Sequence, residues 1–180
     1  MGLTAEEIYS TNPPAFVWRA GMPKLSVPVV LGRDAYLDGE GSITMKLLSL
    51  FPVADEHGDD LRAAGLMRYL NEMLWFPAAY LGDNVTITAI DDDSFGVRIV
   101  DRGLSAEAIL DVDAAGRPTN FRAIRYNTGT GSMEAWETPI TAWSRMAGLE
   151  LPARGAADWK LGGGDLRYIE LEITSVTYDD

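Results

Sequence analysis

From Asn84 to Tyr126 the chain alternates apolar and polar residues in short runs, each closed by a turn-forming cluster, and this pattern restricts the fold more than any other feature. Val85, Ile87 and Ala89 share one face of an extended run, with Thr86 and Thr88 on the other. Asp91-Asp92-Asp93-Ser94 then turns the chain. Phe95, Val97 and Ile99 alternate with Gly96, Arg98 and Val100, and Asp101-Arg102-Gly103 turns it back. Ala106, Ala108, Leu110 and Val112 alternate with Ser105, Glu107, Ile109 and Asp111, and after Asp113-Ala114-Ala115-Gly116 a further run covers Phe121 to Tyr126. A period of two belongs to strands, whose side chains point alternately to two faces. Such runs at intervals of about ten residues, joined by Asp- and Gly-rich turns, predict an antiparallel meander.

The same reading extends both ways. Glu134 to Arg145, Leu149 to Lys160 and Asp165 to Thr177 are strand-like, divided by Asn127 to Ser132, Ala147-Gly148 and Gly162-Gly163-Gly164-Asp165. In the last of them Ile169, Leu171 and Ile173 form the inward face. Upstream, Ala15 to Arg19, Ser26 to Leu31 and Ser42 to Leu50 are strands, with Gly32-Arg33-Asp34 and Asp38-Gly39-Glu40-Gly41 as breaks.

Between the two groups the period changes. Leu61, Leu66, Tyr69, Leu70, Met73 and Leu74 form a helical stripe, and Arg62, Arg68, Asn71 and Glu72 fall largely between them. Gly58-Asp59-Asp60 offers capping residues and acid at the positive helix end. Pro77 ends or breaks the helix after Trp75-Phe76, and Pro77 to Leu81 can start a second short turn. About three strands, one helix, and six or seven strands make one α+β domain over residues 1–180. The expected architecture is a single long antiparallel sheet, strongly curved into a half-barrel and packed around the one amphipathic helix.

Charge and composition remove several functions. The net charge of −12, with 15 scattered Lys and Arg, argues against nucleic acid and against an anionic membrane surface. No stretch approaches the roughly 20 apolar residues of a membrane span. With no cysteine there is no disulfide, thiolate nucleophile or cysteine metal site. The N-terminus lacks a basic region followed by an apolar run, so the cytoplasm is the expected compartment.

Few residues suggest chemistry. His57, the one histidine, stands among acids before the helix and reads as a solvated loop residue. Asp91-Asp92-Asp93 lacks the spacing of a calcium loop and reads as a turn. Gly129-Thr130-Gly131 and Gly162-Gly163-Gly164 precede no helix, so neither is a phosphate cradle. No metal or cofactor is expected. Glu72 is a weak catalytic candidate: facing a pocket it would suit acid/base work, and facing water it would pair with Arg68. The ligand-binding candidates are Tyr69, Glu72, Trp75, Trp136, Trp143 and Arg154, because aromatic walls with a few polar groups build small-molecule pockets.

The run Arg68 to Pro77 (Arg-Tyr-Leu-Asn-Glu-Met-Leu-Trp-Phe-Pro) resembles an uncharacterised bacterial domain family marked by Leu-Asn-Glu followed by Trp-Phe-Pro. Phe16 to Ala20, Ile90 to Ser94, and Leu151 to Gly155 with Trp159 resemble its other motifs, in the same order along nearly the whole chain. That resemblance implies a LolA-like half-barrel and no established activity. Relatives carry more sequence upstream, which implies that N-terminal strands are lacking and that an open sheet edge could support a homodimer.

Three readings follow from the residues. In the first, a half-barrel cavity binds a small hydrophobic or acyl-type ligand, lined by Tyr69, Trp75, Trp136 and Trp143, with Glu72 and Arg154 orienting its polar end. In the second, an enzyme uses Glu72 as acid/base on a small hydrophobic substrate, with Arg154 holding an anionic group. In the third, the core is filled and the domain is structural or serves interaction.

Overall fold

The computed structural model describes residues 3–24, 27–47, 51–127 and 129–179. It is α+β and rich in antiparallel sheet, as the alternation predicts. The strands are β1 (Thr4–Thr11), β2 (Pro14–Lys24), β3 (Val27–Leu37), β4 (Glu40–Leu47) and β5 (Phe51–His57), then β6 (Val85–Asp91), β7 (Ser94–Asp101), β8 (Leu104–Val112), β9 (Pro118–Asn127), β10 (Ser132–Glu137), β11 (Ile140–Met146), β12 (Leu149–Leu161) and β13 (Gly164–Glu172). Between the groups lie α1 (Asp59–Glu72) and two 3-10 turns, Met73–Trp75 and Pro77–Leu81.

The expected single sheet is instead two, a five-stranded β1-β2-β3-β4-β5 and an eight-stranded sheet holding β6 to β13. The helix lies between the two strand groups along the chain, and β5 and β6 belong to different sheets. Neither sheet closes on itself. Two compact units result: Met1–Tyr69 with Val100–Ala106, and Leu70–Ile99 with Glu107–Asp180.

Three differences from the sequence pattern have identifiable causes. β1 is mostly polar and its residues are largely exposed, so no apolar alternation marks it; it is a strand because it pairs along its whole length with β2. β5 occupies residues read as a loop, with His57 backbone opposite Ser42; the His57 side chain lies outside the described residues. β3 runs straight through Gly32-Arg33-Asp34. Gly32 makes room there: a Cβ would lie 3.2 Å from the Trp18 ring, so this glycine marks a close approach within a strand.

In the first unit the helix meets the sheet backbone to backbone. A Cβ on Gly41 of β4 would lie 2.1 Å from the Leu61 carbonyl oxygen, and one on Gly65 would lie 3.0 Å from the Tyr36 ring. Phe16, Ala35, Tyr36, Leu61, Leu66 and Tyr69 fill the core. Arg68 lies over Phe16 and Trp18 and pairs with Glu7 and Asp34, so its charge is matched where water is scarce. Two hairpin tips meet there as well. Asp38-Gly39 and Arg102-Gly103 are both two-residue turns with positive φ at each position, and Arg102 pairs with Asp38 at 3.0 Å.

The second unit is a meander. β10 and β11 are collinear pieces that pair along one edge of β12, interrupted at Thr138-Pro139. Val97, Ile99, Ala108 and Leu110 point inward as the alternation predicts. The helix emerges into this unit with Leu70, Asn71, Glu72 and Met73 all buried. Asn71 and Glu72 fall between the stripe residues in sequence, yet both are buried, and Asn71 Nδ2 donates to Thr138 Oγ1 at 2.6 Å.

Candidate functional site

Four aromatic rings form a row across four adjacent strands of the second sheet. Register sets their common face. Ala123 pairs with Trp136, so Phe121, two residues along β9, points the same way. Trp136 pairs with Trp159 and Trp159 with Leu166; the register shifts between Ala157 and Asp158, leaving Tyr168 as the extra residue of β13, and its ring comes onto the same face. Phe121 meets Trp136 edge to face at 5.9 Å, Trp136 meets Trp159 at 6.4 Å, and Tyr168 stacks on Trp159 at 6.0 Å. Trp136 Nε1 donates to the Tyr168 hydroxyl at 3.1 Å, so Tyr168 reaches from β13 across β12 towards β10. Exposure rises along the row, from 0% at Phe121 through 3% and 9% at the tryptophans to 47% at Tyr168. On β9 the Arg125 guanidinium lies 4.7 Å from the Trp136 ring centre and 5.9 Å from that of Trp159, where the π-faces favour a cation.

The facing tryptophans depend on a hairpin that starts far away. Ala147-Gly148 is a two-residue turn with φ of 47° and 84°. Paired residue numbers add to the same total at its tip (Met146 with Leu149) and at its far end (Trp136 with Trp159). Two irregularities between Ile140 and Trp143 therefore cancel. Pro139 has no N–H to donate, and its carbonyl accepts from Ala156 N at 3.1 Å instead. Gly155 allows this approach, since a Cβ there would lie 2.9 Å from the Pro139 oxygen.

The six residues singled out from sequence fall in both units. Tyr69 belongs to the first unit; it is buried, and its hydroxyl donates to the Ser10 carbonyl at 3.0 Å. Glu72 is buried at the end of α1 rather than exposed. Trp75 Nε1 donates to the Pro152 carbonyl at 2.9 Å, and the Trp75 carbonyl accepts from Tyr178 Oη at 2.6 Å. Trp143 is the register partner of that same Pro152, so Trp75 and Trp143 converge on one point of β12. Arg154, two residues on, is exposed and pairs with Glu172 at 3.0 Å. Trp136 stands in the aromatic row. Trp159, which sequence places with Trp136 and Trp143 among the tryptophans of the C-terminal strands, joins it there, as do Tyr168, Phe121 and Arg125, which sequence does not single out. One signal was available: Trp136 and Trp159 are equidistant from the Ala147-Gly148 turn.

Beside Arg154 is an open depression of about 490 Å³, bordered by Thr141, Arg167, Glu170, Leu171 and Glu172. Its charges are matched locally. Arg167 forms a two-pronged pair with Asp158 at 2.8 and 3.0 Å and reaches Glu170 at 3.3 Å. The Arg167 hydrogen bonds hold the Asp158 carboxyl below the usual range. Asp91, in the expected aspartate turn, accepts from Ser94 Oγ at 2.7 Å and Asp93 N at 3.0 Å, and these bonds lower its pKa. Asn127 organises the β9–β10 turn by accepting from Gly129 N at 2.8 Å. Among the described residues no three His, Asp or Glu side chains converge as a metal site requires. Nor is any described helix long and apolar enough to cross a membrane.

The chain belongs to DUF6544, a family of unknown function, whose family model matches residues 1–171. Membership of a family without an assigned activity is what the ordered motifs imply. No curated protein matches the chain, and no solved structure does.

Proposed function

We propose that this protein binds a small hydrophobic or acyl-type ligand against the aromatic row of the second sheet, with Arg125 matching an anionic end. The observation that carries the reading is the exposure gradient from buried Phe121 to Tyr168. Such a row offers a ligand apolar ring faces that are already ordered, next to a cation. Leu166, 49% exposed on the same face, would extend the apolar surface. A half-barrel, with the second sheet bent so that this face is concave, would complete the enclosure. In this reading the expected lining, Tyr69, Trp75, Trp136 and Trp143 with Glu72 and Arg154, gives way to Trp136, Trp159, Tyr168 and Arg125.

Calorimetric titration with dodecanoate and dodecanol tests it. Both should bind the wild type, and Tyr168→Ala should weaken both. Arg125→Met should weaken dodecanoate by roughly tenfold while sparing dodecanol, because only the carboxylate uses the guanidinium. Absence of binding by both ligands, or binding indifferent to both variants, would overturn the proposal.

A second reading, a structural or interaction domain with a filled core, is supported by the near-complete burial of Trp136 and Trp159. It expects no heat with either ligand. An enzyme using Glu72 draws support from the burial of that carboxylate. Its anion-holding partner, Arg154, is an exposed residue already paired with Glu172.

A further inference from the structure

We infer that the outer edge of β6 is a docking site for an extended polypeptide segment with an uncharged, β-prone centre and basic flanks. β6 is an edge of the second sheet, hydrogen-bonded to β7 on one side. After Val85 every residue of the strand is exposed, with Ile87 at 53% and Ile90 at 52%. A sheet edge presents unpaired backbone donors and acceptors to any strand that can align with it. Chains usually guard such edges with lysine, proline, inward charges or bulges. Asn84 to Ile90 carries no charged residue and no proline, and the one register irregularity falls after Ala89, leaving Val85 to Ala89 regular. β13, at another edge of the same sheet, is guarded conventionally by Asp165, Arg167, Glu170 and Glu172.

Charge at the two ends of the run selects the occupant. Asp83 precedes it, and Asp91, Asp92 and Asp93 follow it, all exposed. Antiparallel pairing of two copies of β6 about Ile87 would set Asp83 opposite Asp91 at both ends, and pairing about Thr88 would set Asp83 opposite Asp93. Like charges directly opposite each other destabilise a strand pair. A segment flanked by Lys or Arg would meet a carboxylate at each end instead. The chain's net charge of −12 favours the same partner during approach. This is strand addition, in which backbone hydrogen bonds supply affinity and the flanks supply selection.

The test is amide NMR of the ¹⁵N-labelled chain with two blocked peptides that share a Val-Thr-Val-Thr-Val centre, one flanked by Lys-Lys and the other by Glu-Glu. The lysine-flanked peptide should shift the amides of Val85 to Ile90 and bind about tenfold tighter than its glutamate counterpart. In the double variant Asp83→Lys, Asp92→Lys, which leaves the four flanking positions neutral in sum, the wild type's preference should disappear, while amides elsewhere keep their positions. Three results would overturn the proposal: shifts that leave β6 untouched, equal affinity of the wild type for both peptides, or concentration-dependent broadening of the β6 amides in the protein alone, which would identify a second copy as the occupant.

Discussion

The Tyr36 hydroxyl donates a 2.7 Å hydrogen bond to Asp101 Oδ2, and both residues are buried. They are far apart in sequence, one on β3 and one at the end of β7. Removing the hydroxyl leaves a buried carboxylate oxygen short of its donor. Tyr36→Phe should therefore lower stability by about 1–3 kcal/mol, although the ring itself is retained. Urea denaturation would measure it. No change in midpoint would mean that water or another donor replaces the hydroxyl.

Burial raises the pKa of Tyr36, Tyr69 and Tyr80, because it penalises the phenolate; at Tyr36 the bond to Asp101 adds to the effect. The unfolded chain loses these protons near pH ~10. The stabilisation is thus fully present below that pH and is lost as pH rises beyond it towards the native values. Denaturation midpoints should be level up to about pH 9 and fall above about pH 10. The fall should be shallower in Tyr36→Phe and in Tyr80→Phe.

Tyr80 also behaves differently at neutral pH. Its hydroxyl is buried and has no hydrogen-bond partner among the described residues. Tyr80→Phe removes a desolvated polar group and keeps the ring, so it should stabilise by about 1 kcal/mol. A thermal melt suffices, and a loss of stability would show that the hydroxyl is satisfied in solution.

Gly41 has no room for a side chain, because a Cβ would fall 2.1 Å from the Leu61 carbonyl oxygen. The obstacle is helix backbone, which cannot rotate aside as a flexible side chain can. Gly41→Ala should cost about 1–3 kcal/mol or more. Gly163→Ala is the control, since nothing lies within 4 Å of that position. Chemical denaturation of the pair should separate them clearly.

Ala147 holds φ at 47°, a left-handed conformation that its Cβ disfavours. Asparagine accepts this geometry more readily, and Asn-Gly is the preferred pair for such a turn. Ala147→Asn should raise stability by roughly 0.5–1 kcal/mol, visible as a higher melting temperature. An unchanged melting temperature would mean that the neighbouring strands, rather than the turn, fix the conformation.

Period-two alternation located β7, β8 and the inward face of β13, because each has apolar residues on one side and a turn with positive φ or aspartate capping at its ends. The helix stripe is equally legible, and the helical run of α1 and the Met73–Trp75 turn breaks before Pro77, which opens the next turn. Gly32 misled because a glycine followed by Arg33-Asp34 reads as a turn, whereas here it accommodates the ring of Trp18. β1 left no mark because a polar strand on a sheet edge needs no apolar face.

The candidate site was legible only in its ingredients. Tryptophans and arginines in the C-terminal strands are visible in the chain, but a shift of one residue moves a side chain to the opposite face. Trp136 and Trp159 share a face because two irregularities in the β11–β12 pairing cancel, and Gly155 and Pro139 permit that cancellation. By itself, therefore, the sequence determined the antiparallel class, the helix and most turns, since these depend on local spacing and backbone preference. Tertiary structure alone decided the division into two sheets and the alignment of four rings with Arg125, because each depends on pairing between residues distant along the chain.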